Sequence, residues 1–218
     1  MRFATFELAG KAVWGLASDK GLHAVDAATL ARYPSLKAAI AADALASVAA
    51  ALKDSAPSVT LADAHFLPVI PDPEKILCVG LNYEAHRIEG GWTEVENPTI
   101  FGRFANSQIG HREPMIKPKV SDKLDYEAEL AVIIGKPGRH ITEADAMDHV
   151  AGYACYNEGS VRDWQRHTTQ FTPGKNFIGT GAFGPCLVTK DEIPDLGPLV
   201  MEARLNGEVM QHTKLDDL

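Results

Sequence analysis

The stretch Leu124-Asp125-Tyr126-Glu127-Ala128-Glu129-Leu130 sets three carboxylates at alternate positions. It runs into Ala131-Val132-Ile133-Ile134-Gly135, whose β-branched residues and closing glycine predict a strand. Alternate side chains of a strand share a face, so Asp125, Glu127 and Glu129 project together while Tyr126, Ala128 and Leu130 face the other way. Carboxylates at i and i+2 lie roughly 7 Å apart at Cα and can converge on one object between them. Like charges at that spacing call for a cation, and hard oxygen donors suit Mg²⁺, Mn²⁺ or Ca²⁺ better than zinc. The alternative reading is a solvated acidic face.

Three further groups could complete a site. Glu158 follows the end of a predicted strand over 152–156 and offers a third carboxylate. Lys175 sits in Pro173-Gly174-Lys175-Asn176-Phe177, within a glycine-rich stretch over 174–184 that suits close approach of backbone to a ligand. An ammonium there could neutralise an oxyanion; otherwise it is an exposed loop lysine. His86 and Glu89 share one face of a short helix, where the carboxylate would orient the imidazole as a general base, or simply form a surface ion pair.

The elements that must position these groups fall into two parts. Over the first seventy residues, strands are expected at 3–8, 12–17 and 21–25, and helices at 27–33 and 35–52, the latter rich in alanine. A proline-rich extended segment at 65–73 then leads into residues 71–218. Further strands are expected at 76–80, 152–156 and 187–189, and a helix at 141–150 opened by a capping box at Thr142. Strand 201–205 should turn at Asn206-Gly207 into 208–210.

A length of 218 residues, 45% hydrophobic and 23% charged, is that of a globular chain with a substantial core. The net charge of −8 argues against a nucleic-acid surface. The basic run of Arg103, Arg112, Lys117, Lys119 and Lys123 reads as a solvated loop. Cys78, Cys155 and Cys186 are too far apart for a zinc cluster or disulfide framework, which suits buried thiols in a reducing cytoplasm. Neither a signal peptide nor a membrane span is expected.

Together these blocks resemble the fumarylacetoacetate hydrolase family. The likeness is carried by Cys78-Val79-Gly80-Leu81-Asn82-Tyr83 with His86 and Glu89, by Asp125 to Ala131, and by Gly152-Tyr153, Asn157-Glu158, Ser160, Arg162-Asp163 and Gln165. It continues through Gly174-Lys175-Asn176-Phe177, Gly184-Pro185 and Leu205-Asn206-Gly207-Glu208. The resemblance implies an α+β fold, mainly β: a rolled β-sheet catalytic domain at 71–218 behind a small α/β domain at 1–70. It also implies a homodimer and a Mg²⁺ or Mn²⁺ ion on Glu127, Glu129 and Glu158. His86 with Glu89 would activate water, Lys175 would face the substrate, and Arg162 and Gln165 would bind it.

The implied activity is hydrolysis of a carbon–carbon bond in an acylpyruvate-like 1,3-dicarbonyl 2-oxo acid. The alternatives are an isomerase, hydratase or oxaloacetate decarboxylase using the same metal, or a catalytically incomplete metal-binding remnant. Two departures from the family pattern stand out. The third metal carboxylate is glutamate (Glu158) where most members of that family carry aspartate. The family also continues beyond the position of Leu218 with core strands and a Gly- and Thr-rich loop, so the catalytic domain is expected to be incomplete at its C-terminus.

Overall fold

The computed structural model describes residues 1–89, 91 and 96–217, except the side chains at 85, 86 and 89. The chain is sheet-dominated with short helices between strands, in line with the expected α+β class. It opens with β1 (Arg2–Leu8), β2 (Lys11–Ser18) and β3 (Gly21–Ala24). Ala9 and Gly10 turn β1 into β2 with φ of 51° and 74°, the left-handed pair a two-residue hairpin needs. Three helices follow: α1 (Ala27–Arg32), α2 (Leu36–Ala41) and α3 (Leu45–Leu52). The single helix expected at 35–52 is thus two, because Asp43 takes φ 53° and breaks the helical path.

Next come β4 (His65–Phe66), β5 (Ile76–Gly80), α4 (Glu84–Glu89), β6 (Thr99–Arg103) and β7 (Gln108–Ile109). The acidic segment gives β8 (Leu124–Asp125) and β9 (Ala128–Ile134), and β10 (Val150–Glu158) is the longest strand. After β11 (Ser160–Val161) stand α5 (Arg162–Gln165) and α6 (Thr172–Lys175), then β12 (Gly181–Phe183) and β13 (Leu187–Thr189). The hairpin of β14 (Val200–Leu205) and β15 (Glu208–Lys214) turns at Asn206 and Gly207, both at positive φ, as the sequence predicts. The helix expected at 141–150 is instead a 3₁₀ segment at Glu143–His149. Thr142 donates its hydroxyl to the Asp145 carboxylate (2.6 Å) rather than accepting a helical N–H, so no cap forms.

The main sheet runs β3-β2-β1-β13-β10-β12-β7, with β4 added on β1 and β9 on β10. The leading strands join the rest directly, Arg2 opposite Val188 and Phe3 opposite Leu187. Alternation along β1 sends Phe3 into one core, with Trp14, Leu36, Ala154, Phe183 and Leu187, and Ala4 and Phe6 into another with Leu22 and Phe66. The main sheet and its core therefore draw on residues from both sides of residue 70. All three cysteines are free, but Cys155 is exposed, against the expectation of burial; it points off the core face of β10. Among the described residues no helix is long and apolar enough to cross a membrane.

Candidate metal centre

The acidic stretch is interrupted where it matters. β8 ends at Asp125 and β9 begins at Ala128, leaving Tyr126 and Glu127 at a break. The backbone there is satisfied by residues distant in sequence. Glu158 N–H donates to the Glu127 carbonyl (2.8 Å), and Glu127 N–H donates to Asn157 Oδ1 (3.3 Å). Gln211 of β15 reaches across, accepting from Ala128 N–H (2.8 Å) and donating to the Tyr126 carbonyl (3.3 Å). Because Glu129 pairs with Tyr156 and Ala128 with Asn157, Glu127 comes opposite Glu158. One oxygen from each of Glu127, Glu129 and Glu158 lies within 4.8 Å of the others.

That limit is close to the span of oxygens around a divalent ion. Oxygens about 2.1 Å from a Mg²⁺ centre are about 3.0 Å apart when adjacent and about 4.2 Å apart when opposite, and slightly more around Ca²⁺. The donor set is all carboxylate, which selects hard cations.

The electrostatics point the same way. Lys175 is 2% exposed, and its Nζ lies 2.6 Å from Glu127 Oε2 and 2.9 Å from Glu158 Oε2, above the Phe101 ring. Arg162 binds Asp125 Oδ2 through Nε (2.8 Å) and Glu127 Oε1 through Nη1. Arg103 approaches Glu158 Oε1 at 3.5 Å. Asp125, Glu127 and Glu158 are therefore matched by Arg162, Lys175 and Arg103. Glu129 is the carboxylate without an ion pair among the described residues.

Burial opposes the charge on Glu127, but Lys175 and Arg162 outweigh it and hold its carboxyl below the usual range. Glu129 goes the other way: burial, then the charges of Glu158 and Glu127, push it up to about 8. A buried cluster with one surplus carboxylate is the pattern a bound cation would relieve.

Lys175 is placed by its neighbours. Asn176 accepts from Phe104 N–H (2.7 Å) and donates to the Gly102 and Thr172 carbonyls (3.0 Å each), tying α6 to β6. Gly174 lets α6 lie against α5, since a Cβ there would be 2.4 Å from Gln165 N. Gln165 accepts from Arg162 Nη1 (3.1 Å). Of the residues expected in the site, Glu127, Glu129, Glu158, Lys175, Arg162 and Gln165 are brought together. The His86 and Glu89 side chains lie outside the described residues; their backbone is in α4.

Sequence reasoning missed two participants. Arg103 is not solvated but 3% exposed at the end of β6. Cys78 of β5 donates its thiol to Glu158 Oε1 at 3.2 Å. The available signal was alternation: Phe101 and Arg103 share a face of β6, and Cys78 stands opposite Phe101.

Known proteins similar to this chain point to one family. The family model described as fumarylacetoacetate (FAA) hydrolase C-terminal matches residues 75–218. The oxaloacetate tautomerase fahd2, mitochondrial, of Xenopus laevis is 39% identical over 177 residues, 80% of this chain and 56% of that protein. Oxaloacetate tautomerase FAHD2A, mitochondrial, of Homo sapiens is 41% identical over 163 residues, 74% of this chain and 52% of that protein. The chain thus spans about half the length of the curated relatives it matches. Maleylpyruvate hydrolase of Sphingobium sp. SYK-6 superposes with a TM-score of 0.81 at 26% identity, covering 100% of this chain and 78% of that one. That enzyme has also been solved with manganese (II) ion and pyruvate. On the family match and these likenesses, the chain belongs to the fumarylacetoacetate hydrolase family.

Proposed function

We propose that this chain carries the site of a divalent-metal-dependent tautomerase acting on a 2-oxo acid of the oxaloacetate type. The observation that carries the reading is the convergence of Glu127, Glu129 and Glu158 beside a buried Lys175. Identity of 39–41% to proteins named oxaloacetate tautomerase supports that substrate class. Glu127, Glu129 and Glu158 would hold the ion, which when bound polarises the 2-oxo group and acidifies the adjacent carbon.

The remaining work falls to the chain's own residues. Keto–enol exchange moves one proton between the enol oxygen and the adjacent carbon, consuming nothing else. Lys175 is the ammonium nearest the carboxylates and would stabilise negative charge on the oxygen as the carbon loses its proton. Arg162 holds Glu127 and Asp125 in place through its ion pairs, and through Nη1 it also orients Gln165 toward the same region. His86, steered by Glu89 on α4, would carry the proton.

Hydrolysis of an acylpyruvate is the second reading, favoured by the superposition on a maleylpyruvate hydrolase. It differs in needing His86 to activate a water against the distal carbonyl. Product analysis separates the two. With Mn²⁺ and oxaloacetate, the tautomerase reading expects faster loss of enol absorbance without release of carbon dioxide. Cleavage of an acylpyruvate into two acids with no effect on enol decay would replace tautomerisation by hydrolysis. His86→Ala should lower turnover far more than Mn²⁺ affinity; full activity in that variant would remove His86 from either mechanism.

A further inference from the structure

Glu158 is one methylene longer than the aspartate expected at the third metal position, and the structure holds that extra length in a specific way. Its two oxygens have separate partners. Oε1 faces Cys78 Sγ at 3.2 Å and Arg103 Nη1 at 3.5 Å. Oε2 faces Lys175 Nζ at 2.9 Å. Arg103 does more than meet the carboxylate. Its Nη1 also donates to the Gly159 carbonyl (3.2 Å), Nη2 to Thr180 Oγ1 (3.0 Å), and Nε to Ser107 Oγ (3.3 Å). Gly159 N–H in turn donates to the Thr180 carbonyl (2.8 Å), an approach so close that a Cβ on Gly159 would lie 2.2 Å from that oxygen. One buried guanidinium therefore fixes the Glu158 side chain, the peptide after it and the neighbouring segment together.

Resting on the metal reading above, we infer that Arg103 and Cys78 are positioning residues that anchor Glu158 from behind, making it a one-oxygen ligand despite its length. Oε1 is spent on the anchor, and only Oε2 is left on the side of Lys175 and Glu127. A planar guanidinium with a fixed fork of donors suits this, because lysine cannot serve four acceptors at once. The thiol fits because a half-buried sulfhydryl is a weak donor that can hold one carboxylate oxygen in place. Groups that orient a metal ligand affect metal affinity about 10–100-fold when lost.

The test is Mn²⁺ binding by electron paramagnetic resonance on the full 218-residue chain, reading free Mn²⁺ for affinity and the bound spectrum for ligand symmetry. Arg103→Lys should weaken binding about 10–100-fold and alter the bound spectrum, while Cys78→Ala should do the same to a smaller degree. Glu158→Asp withdraws the carboxylate by about 1.5 Å and should also weaken binding, because one side chain then cannot reach both anchor and ion. Metal-free melting and circular dichroism check that each variant is folded; if Arg103→Lys is not, Cys78→Ala and Glu158→Asp decide. Wild-type affinity and spectrum in the folded variants, or tighter binding by Glu158→Asp, would overturn the anchor while leaving the metal site intact. Failure of the wild-type chain to bind Mn²⁺ would overturn the metal reading itself, and the anchor with it.

Discussion

Glu129 makes metal affinity depend on pH in a calculable way. Its carboxyl is pushed up to about 8 by burial and by Glu158 and Glu127, so near neutrality it is mostly protonated before an ion arrives. Binding must expel that proton. With a pKa of about 8, roughly a tenth of the group is ionised at pH 7 and roughly a hundredth at pH 6. Apparent Mn²⁺ affinity should therefore fall about tenfold per unit below pH 8, and level off above it. Glu127 adds no slope in this window, because Lys175 and Arg162 keep it ionised.

The stability of the metal-free chain should shift correspondingly. A carboxyl raised from its ordinary value of 4.5 to about 8 keeps its proton in the folded state and loses it in the unfolded one over that interval. Its contribution is thus fully present below about pH 4.5 and is lost as pH rises toward 8, the reverse of an ion-paired carboxylate. Glu129→Gln should remove both the affinity slope and this part of the stability change. The assay is a Mn²⁺ titration at pH 6, 7, 8 and 8.5 on wild type and Glu129→Gln, with melting curves of the metal-free proteins. An affinity that varies less than about threefold from pH 6 to 8, or the same slope in Glu129→Gln, would refute the assignment.

Other consequences are direct. Lys175→Met strips the shared ammonium from Glu127 and Glu158; metal-free stability should drop about 3–5 kcal/mol in urea unfolding, with most of the loss restored by saturating Mn²⁺. Gly174→Ala forces a Cβ to 2.4 Å from Gln165 N, so α6 must shift; it should lower both stability and Mn²⁺ affinity, whereas Gly10→Ala, with open space around it, should change melting but leave affinity alone. Arg162→Met should raise the Glu127 carboxyl and make Mn²⁺ affinity steeper with pH below neutrality, readable from the same titrations.

Much of the site was legible because strand alternation is strict. Glu127 and Glu129 share a side in the sequence, and β9 and β10 bring Glu158 beside them. Period-two alternation does not reveal the break at Tyr126–Glu127, which depends on Gln211 arriving from a hairpin some eighty residues later. Asp125, on the same predicted face as Glu127, shares Arg162 with it. Arg103 was misread because it was grouped with Arg112, Lys117, Lys119 and Lys123, which are exposed, whereas its burial depends on β5 pairing and on Thr180 and Gly159 far along the chain. The split at Asp43 was hidden by alanine-rich flanks whose helix propensity is high on both sides. Local pattern identified ligands; long-range pairing decided which charges they meet.

The most direct test of the metal centre is a crystal of this chain soaked in Mn²⁺ and measured for anomalous scattering. An anomalous peak within coordination distance of one oxygen each from Glu127, Glu129 and Glu158 is the predicted result. A map with no peak there at saturating Mn²⁺, or a peak ligated by other residues, would contradict it.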